Sequence, residues 1–272
     1  MSTIAAPRRS VAYTVSDSLT MLRRNLVHAV RYPVILYLIA MPVVFLVLFV
    51  YVFGGTMGAG LVPGAPAAGS GEYLQYLLPG MLLVTLASGV SGPAISVSKD
   101  LTEGIIARFR TMDISRSAVL SGHVLGNLVQ SVIAVVVVLG VGLLMGFRAP
   151  ASVWGWLGAA GFLTLIGYAL CWMGAAFGVF ARGVESASNL PMPLLILPFL
   201  SSAFVPTESL PVWMQWFAEY QPFTPFTEVL RGLLFATPIA ALDVWLSFGW
   251  IALIGVGGWL WARTTYERKT IR

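Results

Sequence analysis

The feature that most constrains this chain is the run VILYLIAMPVVFLVLFVYVF at residues 34–53, which contains no charged side chain. A helix of that length rises about 30 Å, which matches the hydrocarbon thickness of a bilayer. A chain of 272 residues that is 58% hydrophobic and only 10% charged cannot cover such segments with polar surface in water. The sequence therefore predicts an all-α polytopic membrane protein, with residues 1–272 forming one membrane domain.

Six apolar stretches are long enough to be predicted as transmembrane helices. Pro42 is expected to kink the first of them. The fifth carries several prolines, so we expect a regular helix to be broken there more than once. The predicted spans cover 34–53, 73–97, 118–147, 153–180, 188–205 and 244–262.

Two other segments are predicted to lie at the membrane surface. Residues 13–32 carry apolar side chains at helical spacing among arginines, which indicates an interfacial amphipathic helix, with a solvated helix as the alternative. Residues 207–236 are too polar to cross the membrane and are rich in aromatic rings, which favour the interface. We predict a re-entrant hairpin of two short helices there, with Pro222 and Pro225 at its turn.

The basic residues predict the orientation. Sixteen lysines and arginines against eleven aspartates and glutamates give a net charge of +5, and all the basic residues except Arg148 and Arg231 fall on one side of the predicted topology. Positive loops stay in the cytoplasm, so both termini and the loop 98–117 are predicted to be cytoplasmic. The basic residues flank apolar runs instead of forming an aromatic-interleaved stripe, which argues against nucleic-acid binding.

The loop 98–117 gathers charges of both signs around an apolar stripe. Leu101, Ile105, Phe109 and Met112 follow helical spacing. A simple cytoplasmic anchor would explain the excess of basic residues, but not the stripe or the interspersed acidic residues. Such a face can lie on lipid or in a groove of a partner protein, and we favour the partner.

The stretch LTEGIIARFRTMDISRSAVLSGHVLGN resembles the cytoplasmic loop of type-2 ABC transporter permeases, and LPVWMQWFAEYQPFTPFTEVLRGL is similar to their outer segment. The nearest branch is that of the daunorubicin-resistance-type permeases, and the resemblance covers nearly the whole chain. It implies that 98–117 forms a coupling helix that docks on a separate ATP-binding subunit. By this resemblance, the docking residues at the matching positions are Leu101, Glu103, Gly104, Arg108, Phe109 and Arg110.

The resemblance also implies a function and an assembly. The chain would be the permease subunit of an exporter of hydrophobic or amphiphilic cargo (drug, antibiotic or lipid) in the bacterial cell membrane. Two ATP-binding subunits would pair with two permease copies, either identical or closely related. The outer segment would form a gate, in which Glu228 and Arg231, three residues apart, are expected to pair. The residues assigned to this gate are Glu208, Trp213, Trp216, Glu228 and Arg231.

The sequence argues against an enzymatic role for this chain. A Walker motif needs glycine directly before its lysine, whereas Lys99 follows serine and Lys269 follows arginine. We therefore expect no cofactor on this chain, with ATP and Mg²⁺ on the partner subunit. Ser121 and His123 lie two apart in one predicted helix, so they do not face each other as a protease pair would. Two histidines far apart make no metal site.

The third predicted span carries a polar face. His123, Asn127 and Gln130 stand at helical spacing and are expected either to bond neighbouring helices or to line the cargo path. No chain of acidic and basic side chains is expected inside the spans, because Glu185 and Asp243 lie at span ends. This counts against an ion-coupled secondary transporter, which stays an alternative, as does a structural membrane protein that transports nothing.

Overall fold

A computed structural model describes residues 34–54, 70–103 and 116–271, and the regular elements in those ranges are all helical. The interfacial helix predicted over 13–32 and the loop residues 104–115 lie outside the described residues. We number the α-helices in chain order: α1 (Val34–Leu48), α2 (Ser70–Gly89), α3 (Ser91–Thr102), α4 (Arg116–Leu144), α5 (Val153–Phe180), α6 (Val184–Asn189), α7 (Met192–Ile196), α8 (Val212–Tyr220), α9 (Phe223–Phe235) and α10 (Ala241–Ile271).

Within the described ranges, four helical segments are long and apolar enough to cross a membrane: Gly71–Thr102, Leu120–Leu144, Val153–Phe180 and Ala241–Arg268. Two shorter apolar stretches, Leu38–Phe53 and Val184–Leu200, overlap the predicted first and fifth spans. Large apolar side chains point outward from these helices, as Leu144, Trp154 and Trp245 do. Such a surface suits lipid and not water, and the chain is a multi-pass membrane protein.

The second predicted span differs from the structure at its end. Its helix is interrupted at Val90, between α2 and α3, and then continues to Thr102. Pro93 explains the interruption, because a proline at that position has no N–H to donate to the Gly89 carbonyl. Residues 98–102, predicted to begin the loop helix, therefore extend the second span.

Local hydrogen bonds mark the end of α4 and the start of α5. After α4, the N–H of Phe147 donates to the Gly142 carbonyl and that of Gly146 to the Leu143 carbonyl, with Gly146 at a φ of 105°. This is a Schellman motif, in which the left-handed position favours glycine. The predicted third span, 118–147, thus includes the capping turn. Helix α5 has the bounds predicted for the fourth span, and the Ser152 hydroxyl caps its start by accepting from Gly155 N at 3.3 Å.

The proline-rich fifth stretch is broken more than once, which confirms the prediction. It consists of α6, α7, a 3₁₀ turn at Leu197–Leu200 and an irregular segment that begins at Ser201. Two short helices, α8 and α9, then follow as expected. Pro222 lies between them, whereas Pro225 lies in the first turn of α9 and not in the connection.

The last helix is longer than predicted at both ends. The sequence indicated a span over 244–262 followed by a basic tail, but α10 runs from Ala241 to Ile271. Arg263 Nε bonds Glu267 Oε1 at 3.1 Å one turn on, and such pairs favour the helical state of a polar segment. The charged residues from Arg263 to Lys269 therefore lie within the helix and do not mark its end.

Helix α5 is the central element and packs against α3, α4 and α10. Gly174 of α5 lies directly against the Val90 carbonyl and Pro93, so the backbones of α5 and α3 approach closely. Most buried side chains form one large cluster around α2 and α5. A second cluster, here called the end cluster, joins the ends of α3, α4, α5 and α10 and includes Val97, Leu120, Val124, Trp172 and Tyr266.

Candidate functional site

A cavity of about 310 Å³ opens at the interruption between α2 and α3. Its apolar wall is formed by α1, which contributes Met41, Pro42 and Phe45, and by Leu195 of the broken fifth stretch. Its polar lining, here called the polar wall, consists of Ser88, Ser91, Asn127, Gln130 and Ser131. We name this space the polar cavity after these five polar residues, although most of its lining surface is apolar. The described residues that line it include no charged side chain.

Helix α4 supplies the two amides of the polar cavity. Asn127 Nδ2 donates to the His123 carbonyl at 2.9 Å, and Gln130 Nε2 donates to the Gly126 carbonyl at 3.3 Å. Both side chains are more than nine-tenths buried, yet a single bond back to their own helix leaves each amide with further hydrogen-bonding capacity. The polar cavity can therefore hold an apolar body and bond an uncharged polar group on it.

The second span, formed by α2 and α3, packs closely against α4 at this wall. Any side chain at Gly92 would meet Asn127 Oδ1, and any side chain at Gly89 would meet Ser131 Oγ. The glycines therefore let the polar residues of α4 reach the interruption itself. Sequence reasoning identified Asn127 and Gln130, but the glycines and serines of the second span went unnoticed.

His123 does not line the polar cavity, although it was grouped with Asn127 and Gln130. Its Nε2 lies 2.9 Å from Asp100 Oδ2 of α3, and both side chains are at least nine-tenths buried. The sequence predicted no chain of acidic and basic side chains inside the spans, and this single buried acid–base pair was not anticipated. The sequence signal was present, because Val97 and Leu101 place Asp100 within a continuing helical pattern, but its neighbouring charges suggested a loop.

A polar network surrounds Arg231 of α9. Arg231 Nη1 contacts Glu228 Oε1 at 2.8 Å, so the predicted pairing is confirmed. Arg231 Nη2 donates to the carbonyls of Tyr76 at 3.1 Å and Ser202 at 3.0 Å, and the guanidinium stacks 3.8 Å from the centre of the Tyr76 ring. We call Tyr76, Ser202, Glu228 and Arg231 the arginine cluster.

Two hydroxyl groups complete the arginine cluster. Ser202 Oγ donates to Glu228 Oε1 at 2.7 Å, and Tyr76 Oη donates to the Ser202 carbonyl at 2.7 Å. The cluster thus joins α2, the irregular segment after the fifth stretch, and α9. Tyr76 and Ser202 were not predicted, and their distance from Arg231 along the chain gave no local signal.

The residues assigned to the outer gate separate into two groups. Glu228 and Arg231 belong to the arginine cluster. Glu208 is exposed, and Trp213 and Trp216 are 80% and 72% exposed on α8. Because these rings contribute no buried contact, their position suits a lipid interface better than the centre of a gate.

Two of the predicted docking residues fall in the described part of the chain. Leu101 is partly buried against the end cluster, so within this chain it already has apolar neighbours. Glu103 is exposed just after α3 and lies 3.8 Å from Lys99. Gly104, Arg108, Phe109 and Arg110 lie outside the described residues.

Metal and thiol chemistry find little support in the described ranges. No group of three or more histidine, cysteine, aspartate or glutamate side chains there could hold a metal ion. Cys171 is a buried free thiol in the end cluster.

Comparison with known proteins identifies relatives over most of the chain. A family model described as ABC-2 type transporter matches residues 17–235. The daunorubicin resistance ABC transporter permease protein DrrB1 of Streptomyces coeruleorubidus is 33% identical over 235 residues, which cover 86% of this chain and 80% of that protein. The probable doxorubicin resistance ABC transporter permease protein DrrC of Mycobacterium tuberculosis is 24% identical over 239 residues, covering 86% and 81%.

A more distant relative is much longer than this chain. ABC transporter G family member 20 of Dictyostelium discoideum is 24% identical over 195 residues, which cover 70% of this chain but only 25% of that protein.

Proposed function

This chain belongs to the ABC-2 type transporter family, and from that membership we propose that it is the permease subunit of an ATP-driven exporter. The observation that carries the proposal is the match over residues 17–235, together with relatives named as drug-resistance permeases. Members of this family are membrane subunits that work with an ATP-binding subunit. The hydrolysis of ATP would take place on that partner, which would hold ATP and Mg²⁺.

We propose six spans with both termini in the cytoplasm of a bacterial cell. Four long apolar helices support four of the spans, and the stretches Leu38–Phe53 and Val184–Leu200 support the first and fifth. The one-sided distribution of lysine and arginine supports the orientation. In this topology the polar cavity opens among the spans, and α8 and α9 form the re-entrant outer segment.

The polar cavity supports a cargo that is amphiphilic and uncharged where it is held. Burying a charge without a partner costs far more than burying a hydrogen-bonded polar group, and the described lining offers no opposite charge. Serine hydroxyls and two amides can instead satisfy a hydroxyl, carbonyl or amide of the cargo. The apolar wall from α1 would contact its hydrocarbon part.

Replacing Gln130 by leucine is expected to raise the apparent KM for a neutral amphiphile roughly tenfold, because the cargo would lose a buried hydrogen bond. The measurement is ATP-dependent uptake of a fluorescent neutral amphiphile into inverted vesicles. Thr164→Val is the matched control, since Thr164 is exposed on α5 and bonds only its own helix at Ala160 O. If Gln130→Leu has the same KM as Thr164→Val, the polar cavity is not part of the cargo path.

Docking of the ATP-binding subunit is proposed for the segment 98–117. Glu103 is exposed where α3 leads into this segment, so its charge is available to a partner. We expect Glu103→Arg to reduce co-purification of the ATP-binding subunit by about tenfold, because a contact with an opposite charge would become repulsive. Phe109→Ala tests the proposed apolar anchor of the same segment in the same assay.

The control for the docking variants is Glu267→Arg. Like Glu103, Glu267 is exposed and paired with a basic residue four positions earlier, Arg263, but it lies near the end of α10. Charge reversal there should leave co-purification unchanged. If all three variants retain the partner at the parent level, docking lies elsewhere on the chain.

The function as a whole is tested by reconstitution. The chain is purified together with a co-expressed ATP-binding subunit, placed in vesicles, and assayed for ATP hydrolysis and cargo movement. We expect transport that requires ATP and persists when ion gradients are dissipated. Transport driven by an ion gradient without ATP would instead support a secondary transporter, the alternative that the buried Asp100–His123 contact favours.

A further inference from the structure

The contact between Asp100 and His123 is a buried acid–base pair, among the described residues, that the mechanism outlined above does not use. Its two atoms lie 2.9 Å apart, and the side chains are 10% and 4% exposed. The residues come from different spans: Asp100 lies in the last turn of α3, and His123 lies near the start of α4. The pair therefore joins the two helices that flank residues 104–115 in the chain.

Stability alone does not account for such a pair. Val97 of the end cluster lies one turn before Asp100 on α3, and Leu120 of the same cluster lies one turn before His123 on α4. In these surroundings the desolvation of a polar pair offsets much of its attraction, and apolar replacements of similar volume are often as stable. What a hydrogen-bonded pair adds is direction, because apolar surfaces can slide past each other whereas a donor and acceptor fix one register.

The position of the pair connects two regions with proposed roles. On one side, Asp100 lies within the proposed docking segment 98–117, one turn before the exposed Glu103. On the other, the His123 carbonyl accepts from Asn127 Nδ2 at 2.9 Å, and Asn127 lines the polar cavity. A displacement of the docking segment thus has a short, hydrogen-bonded route to the cavity wall.

We propose that Asp100 and His123 are positioning residues that hold α3 and α4 in register, so that movement of the docking segment is passed to the polar cavity. This inference rests on the proposed exporter function. Without the pair, α3 slides on the end cluster and part of the movement is lost. ATP is then hydrolysed with less cargo moved, while the complex and its fold remain intact.

The test compares His123→Leu with His123→Gln in the reconstituted complex with the ATP-binding subunit. The Gln amide nitrogen can reach the place of the imidazole Nε2 and keep the bond to Asp100, whereas leucine cannot. We expect His123→Leu to lower the cargo moved per ATP hydrolysed about tenfold. His123→Gln should keep the cargo moved per ATP hydrolysed within about twofold of the parent value, because the contact with Asp100 is retained.

A double variant keeps the test decisive if the loss of His123 beside Asp100 prevents folding. Asp100→Leu with His123→Leu buries no charge and should reach the membrane in parent amounts. We expect it to bind the ATP-binding subunit and hydrolyse ATP, yet to show the same low transport ratio. A parent-like ratio in this double variant would overturn the proposal, as would equal ratios for His123→Leu and His123→Gln.

The outcomes also separate this inference from the function on which it rests. A parent complex that moves no cargo with ATP rejects both. A parent complex that transports, together with variants that keep its transport ratio, rejects only the role of the pair.

Discussion

Arg231→Met is expected to destabilise the protein by about 3 kcal/mol, the low end of the range for breaking a buried ion pair. Methionine keeps the length of the side chain and much of its apolar stem, so the change isolates the loss of the guanidinium. Glu228 would lose its cation, and the carbonyls of Tyr76 and Ser202 would each lose a donor. Partial exposure of Glu228, at 38%, is the reason for choosing the low end.

The measurement is the unfolding midpoint of purified protein in detergent, followed by tryptophan fluorescence. Arg263→Met is the matched control, because Arg263 also pairs with a glutamate on its own helix but is 60% exposed. It should change the midpoint little. Arg231→Lys should recover only part of the loss, since an ammonium cannot match the flat, two-armed contacts of the guanidinium. Equal midpoints for Arg231→Met and Arg263→Met would show that the arginine cluster contributes no stability.

Gly174→Ala is the second change for which we expect a large effect, about 1–3 kcal/mol of destabilisation from overpacking. The added methyl carbon would lie 2.7 Å from Pro93 Cγ and closer still to the Val90 carbonyl oxygen. A carbonyl in the backbone of a packed helix cannot turn aside as a flexible side chain can. Helices α3 and α5 would have to separate, and the interruption at Val90 would shift with them.

The control is the same substitution on the same helix. A methyl group at Gly161 would meet nothing within 4 Å, so Gly161→Ala should be neutral or slightly stabilising because alanine favours the helix. The two variants are compared by unfolding midpoint and by the yield of folded protein after detergent extraction. A Gly174→Ala variant that is as stable as Gly161→Ala would mean that the α3–α5 contact relaxes without cost.

Apolar length predicted the helices well where local chemistry marks their ends. Helix α5 has the predicted bounds, since a serine caps its start and a polar segment follows its end. The polar stretches were harder to assign. Asp100 and the residues after Ala262 carry charges that suggested a loop and a tail, yet they continue helices, because a partner such as His123 or Glu267 makes the charge tolerable there.

Contacts between distant parts of the chain account for most of what could not be predicted. The Glu228–Arg231 spacing indicated a pair, since residues three apart share a helix face. Nothing near Arg231 in sequence pointed to Tyr76 or Ser202, which reach it only through the fold. The same applies to His123. Its spacing from Asn127 and Gln130 indicated a shared face, but the position of α3 gives it a different partner.

The broken fifth stretch has a consequence for how the protein can move. Where its helix stops, the carbonyls of Leu197 and Ser202 are bonded by Gln221, Tyr76 and Arg231 instead of by their own helix. In hydrocarbon a carbonyl that loses its donor finds no water to replace it. These bonds therefore tie the segment after the fifth stretch to both α2 and α9, and we expect these parts to stay together when the protein changes conformation. Helices can then move relative to one another at interfaces made of apolar side chains alone, where sliding exposes no polar group.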